Sequence, residues 1–222
     1  MAPARPTDPR ITAGIIALAA IALLIGGAFA GLLVEGAHDF SGAWAAFDSY
    51  LLRVVRFTLW QAILSTLLSV GPALFVARAL SRHPRFFGRA FILQLFAVPL
   101  ALPAIVAALG ILALCGRAGY FAGLFSAVGG QGWPGIYGLP GILVAHVFFN
   151  LPLATRLFLE ALQTIPADQW RLASQLGMAA RPAFRLIEWP TLRGALPGVA
   201  GLVFMLCITS FTIVLTLGGG PA

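Results

Sequence analysis

The chain has 222 residues, 60% of them hydrophobic and 9% charged, with a mean hydropathy of +0.95. Water-soluble domains carry about 25% charged residues, so water cannot cover this surface throughout, and lipid must take its place over most of it. The net charge of +7 comes from 14 basic residues, all arginine, against 7 acids; these lie in short segments between apolar runs, as in membrane proteins, and not on a basic face built for nucleic acid.

Residues 1–10 form a polar tail containing Pro3, Pro6 and Pro9. Residues 11–34 carry no charge and as a helix would measure about 36 Å, enough to cross a bilayer. Ala28-Phe29-Ala30 has the look of a signal-peptide cleavage site. The apolar run before it is longer than a signal peptide needs and further spans follow, so the helix is read as retained. Residues 35–56 are a connector holding Glu35, Asp39 and Asp48, and its end, Tyr50–Arg56, reads as an amphipathic helix approaching along the interface. A second span covers 57–80, followed by the basic loop Ser81–Arg89. The third span, 90–115, contains Pro99 and Pro103, which lipid-embedded helices tolerate where neighbours satisfy the freed carbonyls. Residues 116–139, rich in Gly, Tyr, Phe and Trp, read as a loop at the interface, where aromatic rings prefer to sit. The fourth span is 140–162, the polar loop 163–193, and the fifth span 194–217.

The sequence therefore predicts an all-α, polytopic helical membrane protein with about five transmembrane helices. With the N-terminus in the cytoplasm, Arg5, Arg10, Arg78, Arg82, Arg85, Arg89, Arg156, Arg171, Arg181, Arg185 and Arg193 lie inside. Only Arg53, Arg56 and Arg117 remain outside, so the arginine distribution orients the chain with residues 35–56 periplasmic and the last span ending outside. Cys115 and Cys207 stand alone within apolar runs and read as small packing residues.

The polar loop 163–193 is the most informative segment. Pro166 and Asp168 suit the first turn of a helix, by fixed φ and by charge at the positive end of its dipole. Gly177 suits the left-handed position just past the end of that helix. Trp170, Ala173, Leu176 and Gly177 share a face. A second short helix begins near Pro182, runs through Glu188, and is expected to stop at Pro190. Two readings stay open on these grounds: a structured connection between spans, or a docking helix that receives force from a partner.

Ala173, Gly177, Ile187 and Pro190 stand in register with the cytoplasmic EAA loop of ABC importer permeases, roughly E-A-A-x3-G-x9-I-x-L-P. The chain departs from that pattern at Arg171, often Glu, at Leu172, often Ala, and at Trp189, often Leu. The strings Val55-Arg56-Phe57-Thr58-Leu59-Trp60-Gln61-Ala62, Ala145-His146-Val147-Phe148-Phe149-Asn150-Leu151-Pro152 and Leu215-Thr216-Leu217-Gly218-Gly219-Gly220-Pro221 resemble the N-terminal half of the permeases of thiamine ABC importers. Phe184-Arg185-Leu186-Ile187-Glu188-Trp189-Pro190 is similar too.

The resemblance implies a type I ABC importer permease-like bundle over residues 57–222, present in part, in a bacterial inner membrane. It implies a coupling loop at 163–193 in which Trp170, Arg171, Ala173, Gly177, Ile187 and Pro190 meet a separate ATP-binding subunit. It further implies a periplasmic substrate-binding protein, and a second permease half on the same longer chain or on another copy, so that the C-terminus looks like a truncation. The implied substrate is thiamine, with thiamine phosphates a further candidate. Ferric iron or another small solute is the alternative, since related iron(III) permeases share part of the pattern.

A nucleotide-binding P-loop needs a lysine, and the chain has none, so ATP belongs to the partner subunit and no cofactor is expected on this chain. No catalytic group and no metal cluster is expected: Ser69, Ser210 and His146 are scattered singles, which excludes a recognisable hydrolase constellation. A secondary transporter would place acids inside its spans, whereas all seven acids are read here as lying in the tail, loops or span ends. His146 and Asn150 lie one turn apart on the fourth span, with Phe148 and Phe149 beside them. They are either a hydrogen-bonded tie between helices or, with Phe149, part of the substrate path. Gly27-x-x-x-Gly31 and Gly194-x-x-x-Gly198 read as close-packing sites between helices.

Overall fold

The structure, a computed structural model, describes residues 9–38, 48–128, 133 and 135–218. The start of the polar tail, the middle of the first connector, most of residues 129–134 and residues 219–222, with them Gly219, Gly220 and Pro221, lie outside the described residues. The chain divides into two compact units, Met1–Val55 and Arg56–Ala222. Among the described residues, five helical segments are long and apolar enough to cross a membrane: Gly14–Gly36, Ser49–Arg82, Ala104–Ala127, Leu139–Gln163 and Ala180–Ile208.

The first unit is dominated by helix α1, Pro9–His38, whose side chains are exposed from Gly14 to Gly36. Helix α2, Ser49–Arg82, opens with the stretch read as an interfacial approach, so Tyr50–Arg56 is the first part of a spanning helix and not a separate element. Its 34 residues measure about 51 Å, well beyond the hydrocarbon thickness of roughly 30 Å. Through the second unit α2 buries Ala62, Ser65, Ser69, Val70, Ala73, Ala77 and Leu80 at helical spacing. Most of these are small, which lets neighbouring backbones come close where lipid supplies no hydrophobic drive between helices.

The third span differs from the sequence reading of one helix over 90–115. It is broken into α3, Arg89–Leu95, α4, Val98–Ala101, and α5, Ala104–Cys115. Leu102 is extended, with φ −84° and ψ 133°, because the ring of Pro103 disfavours helical geometry in the residue before it. Pro99 and Pro103 each lack a donor as well, and so the segment becomes three pieces instead of one tolerant helix. The membrane-length segment shifts to 104–127, and part of the expected interfacial loop becomes helix α6, Tyr120–Ala127. The aromatic connection beyond it is held by Trp133, whose indole N–H donates to the Cys115 carbonyl at 3.0 Å, and by Arg117 stacked 5.6 Å from the Tyr137 ring centre.

Helix α7, Leu139–Gln163, is the most buried of the spans. After it come α8, Ala167–Gln175, and α9, Ala180–Ala183, which passes through a π-helical turn at Phe184–Glu188 into α10, Trp189–Ile208. Pro190 therefore does not stop a helix, as expected from the sequence, but sits in the first turn of α10. The Trp189 N–H reaches back to the Phe184 carbonyl, and this wider π register makes room for a ring that would otherwise collide with the preceding turn. The helix ends instead at Thr209–Ser210, before α11, Phe211–Leu217. There the Thr209 hydroxyl donates to the Met205 carbonyl at 2.9 Å and that of Ser210 to the Cys207 carbonyl at 2.7 Å, side-chain bonds that bend helices.

Two apolar clusters hold the second unit together. One joins Ala73, Ala77 and Leu80 of α2 to Phe158, Leu159 and Leu162 of α7 and to Leu192, Val199 and Val203 of α10. The other joins Ala108 of α5, Ile142 and Ala145 of α7, and Ile213 and Leu217 of α11. The Gly138 N–H donates to the Leu217 carbonyl at 2.7 Å, closing the second cluster. Gly194 and Gly198 do not meet another helix among the described residues, since a Cβ at either would find nothing within 4 Å.

Gly141 is the opposite case: a Cβ there would lie 1.9 Å from the Ile136 carbonyl oxygen. Gly141→Ala is expected to lower the midpoint of thermal unfolding in detergent, by about 1–3 kcal/mol of stability. Gly201→Ala, where a Cβ meets nothing within 4 Å, should be neutral or stabilising by up to about 1 kcal/mol. Equal effects of the two variants would refute the close-approach argument.

Candidate functional site: an ionic clamp beneath the loop helix and a buried polar seam

The C-terminal end of α2 carries Arg78 and Arg82 one turn apart on the same face. Arg78 Nε donates to Glu188 Oε2 at 2.7 Å and Arg82 Nε donates to Glu188 Oε1, so each carboxylate oxygen receives one guanidinium. Glu188 is only 2% exposed, while the arginine side chains keep 35% and 31% of their exposure. One anion in an apolar setting thus has two cations that still reach solvent, which satisfies it without fully desolvating either partner. The guanidinium of Arg82 also stacks 5.0 Å from the Trp170 ring centre and that of Arg78 4.7 Å from Phe184. The end of α2 therefore grips both the loop helix α8 and the π turn that leads into α10.

Helix α8 has the acidic first turn and the glycine end its sequence suggests, but Pro166, expected in the first turn, stands outside it at the N-cap with an extended ψ of 140°. Asp168 lies in the first turn, and Gly177 follows the helix with φ +60°. Met178 N–H donates to the Ala173 carbonyl and Gly177 N–H to that of Ser174, at 2.9 and 3.1 Å, a Schellman closure. Trp170 is half-buried, and Ala173 and Ile187 are buried; all three belong to the first apolar cluster. Arg171 is exposed and pairs with Asp168 at 3.2 Å, and Gly177 and Pro190 are exposed. The structure thus brings Trp170, Ala173 and Ile187 together on the inner side of the loop, and leaves Leu172 of α8 and Leu176 at its C-cap, one turn apart, as exposed large apolar side chains.

Deeper in the unit a polar seam crosses α2, α7 and the break after α10. Gln61, Ser65 and Ser69 line α2 at i, i+4 and i+8, and His146 and Asn150 face them from α7; all five are buried. The Ser210 hydroxyl donates to the Cys207 carbonyl, so its oxygen remains to accept from His146 Nε2 at 2.6 Å. His146 Nδ1, 2.8 Å from Ser65 Oγ, then accepts from that hydroxyl. A neutral ring with its proton on Nε2 satisfies both bonds. Asn150 Nδ2 donates to Cys207 Sγ and Gln61 Nε2 to the Cys207 carbonyl, both at 3.3 Å. Gln61 Oε1 and Ser69 Oγ are buried without a partner among the described residues. Phe149 packs against the second apolar cluster, its ring edge-to-face with Phe148 at 5.4 Å.

Sequence reasoning brought His146 and Asn150 together but overlooked their partners Ser65 and Cys207 and the Gln61 amide that bonds the Cys207 carbonyl, and treated Ser210 as a scattered single. Glu188, taken as part of a polar loop, lies inside the continuous helical run Ala180–Ile208. Two signals were available. Gln61-x3-Ser65-x3-Ser69 draws a polar stripe along an apolar helix, and Arg78-x3-Arg82 sets two cations on one face of its end.

The family model described as "Binding-protein-dependent transport system inner membrane component" matches residues 69–222, which include the clamp, the loop helix and most of the seam. The chain belongs to this family and is a multi-pass membrane protein. It is 57% identical over 209 residues, 94% of its length, to the thiamine transport system permease protein ThiP of Brucella abortus (strain 2308). To the proteins of the same name from Salmonella typhimurium and Escherichia coli (strain K12) it is 53% and 55% identical, over 92% and 82% of its length. The chain spans about two fifths of the length of these relatives, 38% of the first two and 34% of the third.

Glu188→Ala would leave two half-buried guanidinium groups without their counterion. It should cost about 2 kcal/mol, read as a lower unfolding midpoint in detergent. In a double-mutant cycle with Arg78→Ala the two losses should fall short of additive by about 1 kcal/mol; strict additivity would mean that the pair contributes nothing.

Proposed function

We propose that this chain forms part of the translocation path of an ATP-driven importer for thiamine in a bacterial inner membrane. The observation that carries this reading is its 57% identity, over 94% of its length, to a thiamine transport permease. Ferric iron gains no support from the relatives named above. The chain supplies helices and a coupling loop, and a separate cytoplasmic subunit hydrolyses ATP. A periplasmic binding protein delivers the substrate, and a second permease half, on the same polypeptide or another copy, completes the path.

On this reading the N-terminus is cytoplasmic and residues 163–193 face the ATP-binding subunit. Residues 57–222 are the permease domain, reached from the first span at 11–34 through the periplasmic connector 35–56. The arginine distribution supports the orientation. A reporter fused at Gln169 should be active only in its cytoplasmic form and one at Gln131 only in its periplasmic form; the same side for both would refute the topology.

Coupling divides between two faces of α8. Leu172 and Leu176 offer an exposed apolar pair to a groove on the ATPase, and Trp170, Ala173 and Ile187 pass the displacement inward. The Arg78–Glu188–Arg82 clamp makes α2 move with the loop, Gly177 sets the angle at which the chain leaves α8, and Arg171 and Pro190 flank the contact. His146 and Asn150 act as the tie that holds α7 to α2 and to the break at Thr209–Ser210, with Phe149 packing beside them.

Uptake of labelled thiamine, by the full permease with its ATPase and binding protein, tests the whole reading. ATP-dependent accumulation is expected, and uptake of ferric iron without thiamine would overturn the substrate. Replacing both Leu172 and Leu176 by Ser should reduce transport and substrate-stimulated ATPase activity at least about tenfold, the equivalent of 1.4 kcal/mol of docking, with unfolding unchanged. In the same assay His146→Ala should lower stability by about 1–2 kcal/mol and leave the apparent KM of any remaining transport unaltered. A raised KM with normal stability would instead place His146 in the substrate path.

A further inference from the structure

Beside the clamp lies a cavity of about 430 Å³ lined by Phe75, Arg78, Ala79, Arg82, His83 and Ala180. Its walls are divided by chemistry. Phe75 is 75% exposed and Ala79 is exposed on the apolar flank of α2, while Arg78, Arg82 and His83 gather at the end of the helix. Glu188 supplies one negative charge to two arginines, so the clamp keeps one net positive charge, and both arginine side chains remain partly exposed beside the cavity, with Arg82 Nη2 itself buried. The turn that follows carries the fully exposed Phe87 between apolar helices, a ring placed to enter the headgroup region.

We propose that this cavity binds the phosphate headgroup of an anionic phospholipid of the leaflet that faces the coupling loop. The phosphate lies against Arg78, Arg82 and the His83 ring, and the first acyl carbons lie against Phe75 and Ala79. The mixed lining distinguishes this ligand from a soluble anion, which gains nothing from the apolar wall. It also distinguishes it from an acidic protein surface, which would have to seat itself over Phe75, a side chain in the apolar run of a membrane span. Because Arg78 and Arg82 also hold Glu188, Trp170 and Phe184, a bound lipid neutralises the spare charge of the group that ties α2 to the loop helix.

The test measures lipid retention on the purified chain in detergent by native mass spectrometry, so it is independent of transport and of the substrate assigned above. With equal phosphatidylglycerol and phosphatidylcholine, the anionic lipid should be retained about fivefold better, the effect of one cationic charge near a bilayer surface. Ala79→Trp and Ala180→Trp fill the cavity from exposed positions without removing any charge, and each should bring the ratio close to one. Should one of them fail to fold, the other carries the test. Leu67→Trp, elsewhere on the exposed face of α2, should leave the ratio unchanged. Equal retention of the two lipids by the unaltered chain, or a preference that survives the cavity-filling variants, would overturn the proposal. So would displacement of the lipid by an equimolar amount of inorganic phosphate, which would mark a free-anion site. Loss of ATPase binding in Ala79→Trp with lipid preference intact would assign the cavity to the protein partner and likewise overturn it.

Discussion

Inside hydrocarbon a backbone N–H or C=O has no water to turn to, and an unsatisfied one costs several kcal/mol. The irregularities of this chain answer to that constraint. The break at Thr209–Ser210 is closed by two hydroxyls that bond the carbonyls of the preceding turn. The π turn before Pro190 relocates the Trp189 bond to Phe184. The interruption around Pro99 faces Val147, Phe148 and Leu151 of α7, the most buried of the spans, across a shared cavity. Where the helix cannot satisfy its own groups, a side chain, a shifted register or a neighbouring helix lies beside it.

Polar side chains at depth obey the same rule. The seam from Gln61 to Ser210 joins most of its buried polar groups to one another across three segments, with Gln61 Oε1 and Ser69 Oγ left unpaired among the described residues. His146 occupies its centre because imidazole has two nitrogens on opposite edges, and so it can join α2 to the break after α10 in one step. Single hydrogen bonds of this kind contribute about 0.6 kcal/mol on average in membrane proteins, so the value of the seam lies in fixing which faces of the helices meet. Apolar contact alone, with lipid competing on equal terms, would leave that register loose.

The ionic clamp does for the end of the unit what the seam does for its middle. A carboxylate with two arginines resists separation more than a single pair would, because losing either partner still leaves charge uncompensated in a partly buried place. The rings of Trp170 and Phe184 lie under the same guanidinium groups. Displacement of the loop helix is therefore resisted by α2 and by the base of α10 together, a stiff connection between a surface helix and the spans behind it.

Hydropathy and charge in the sequence were enough to give membrane residence, helical class and the number of long apolar segments, because those depend on composition summed over some twenty residues. The start and end of α8 were legible too. Pro166, Asp168 and Gly177 act through local backbone geometry, and the left-handed φ at Gly177 needs no tertiary contact to be anticipated. Whether a proline breaks or merely bends a helix was not local: Pro103 ends one and Pro190 does not, and the difference rests on what the surrounding turns can rearrange. The inward turn of Trp170 and Ala173, with Leu172 and Leu176 left outside, was likewise decided by where α2 ends. Glu188 shows the limit most plainly. Its partners lie 110 and 106 residues earlier in the chain, and no periodicity spans that distance, so only the tertiary structure could pair one acid with two arginines and build from them the joint between loop and membrane.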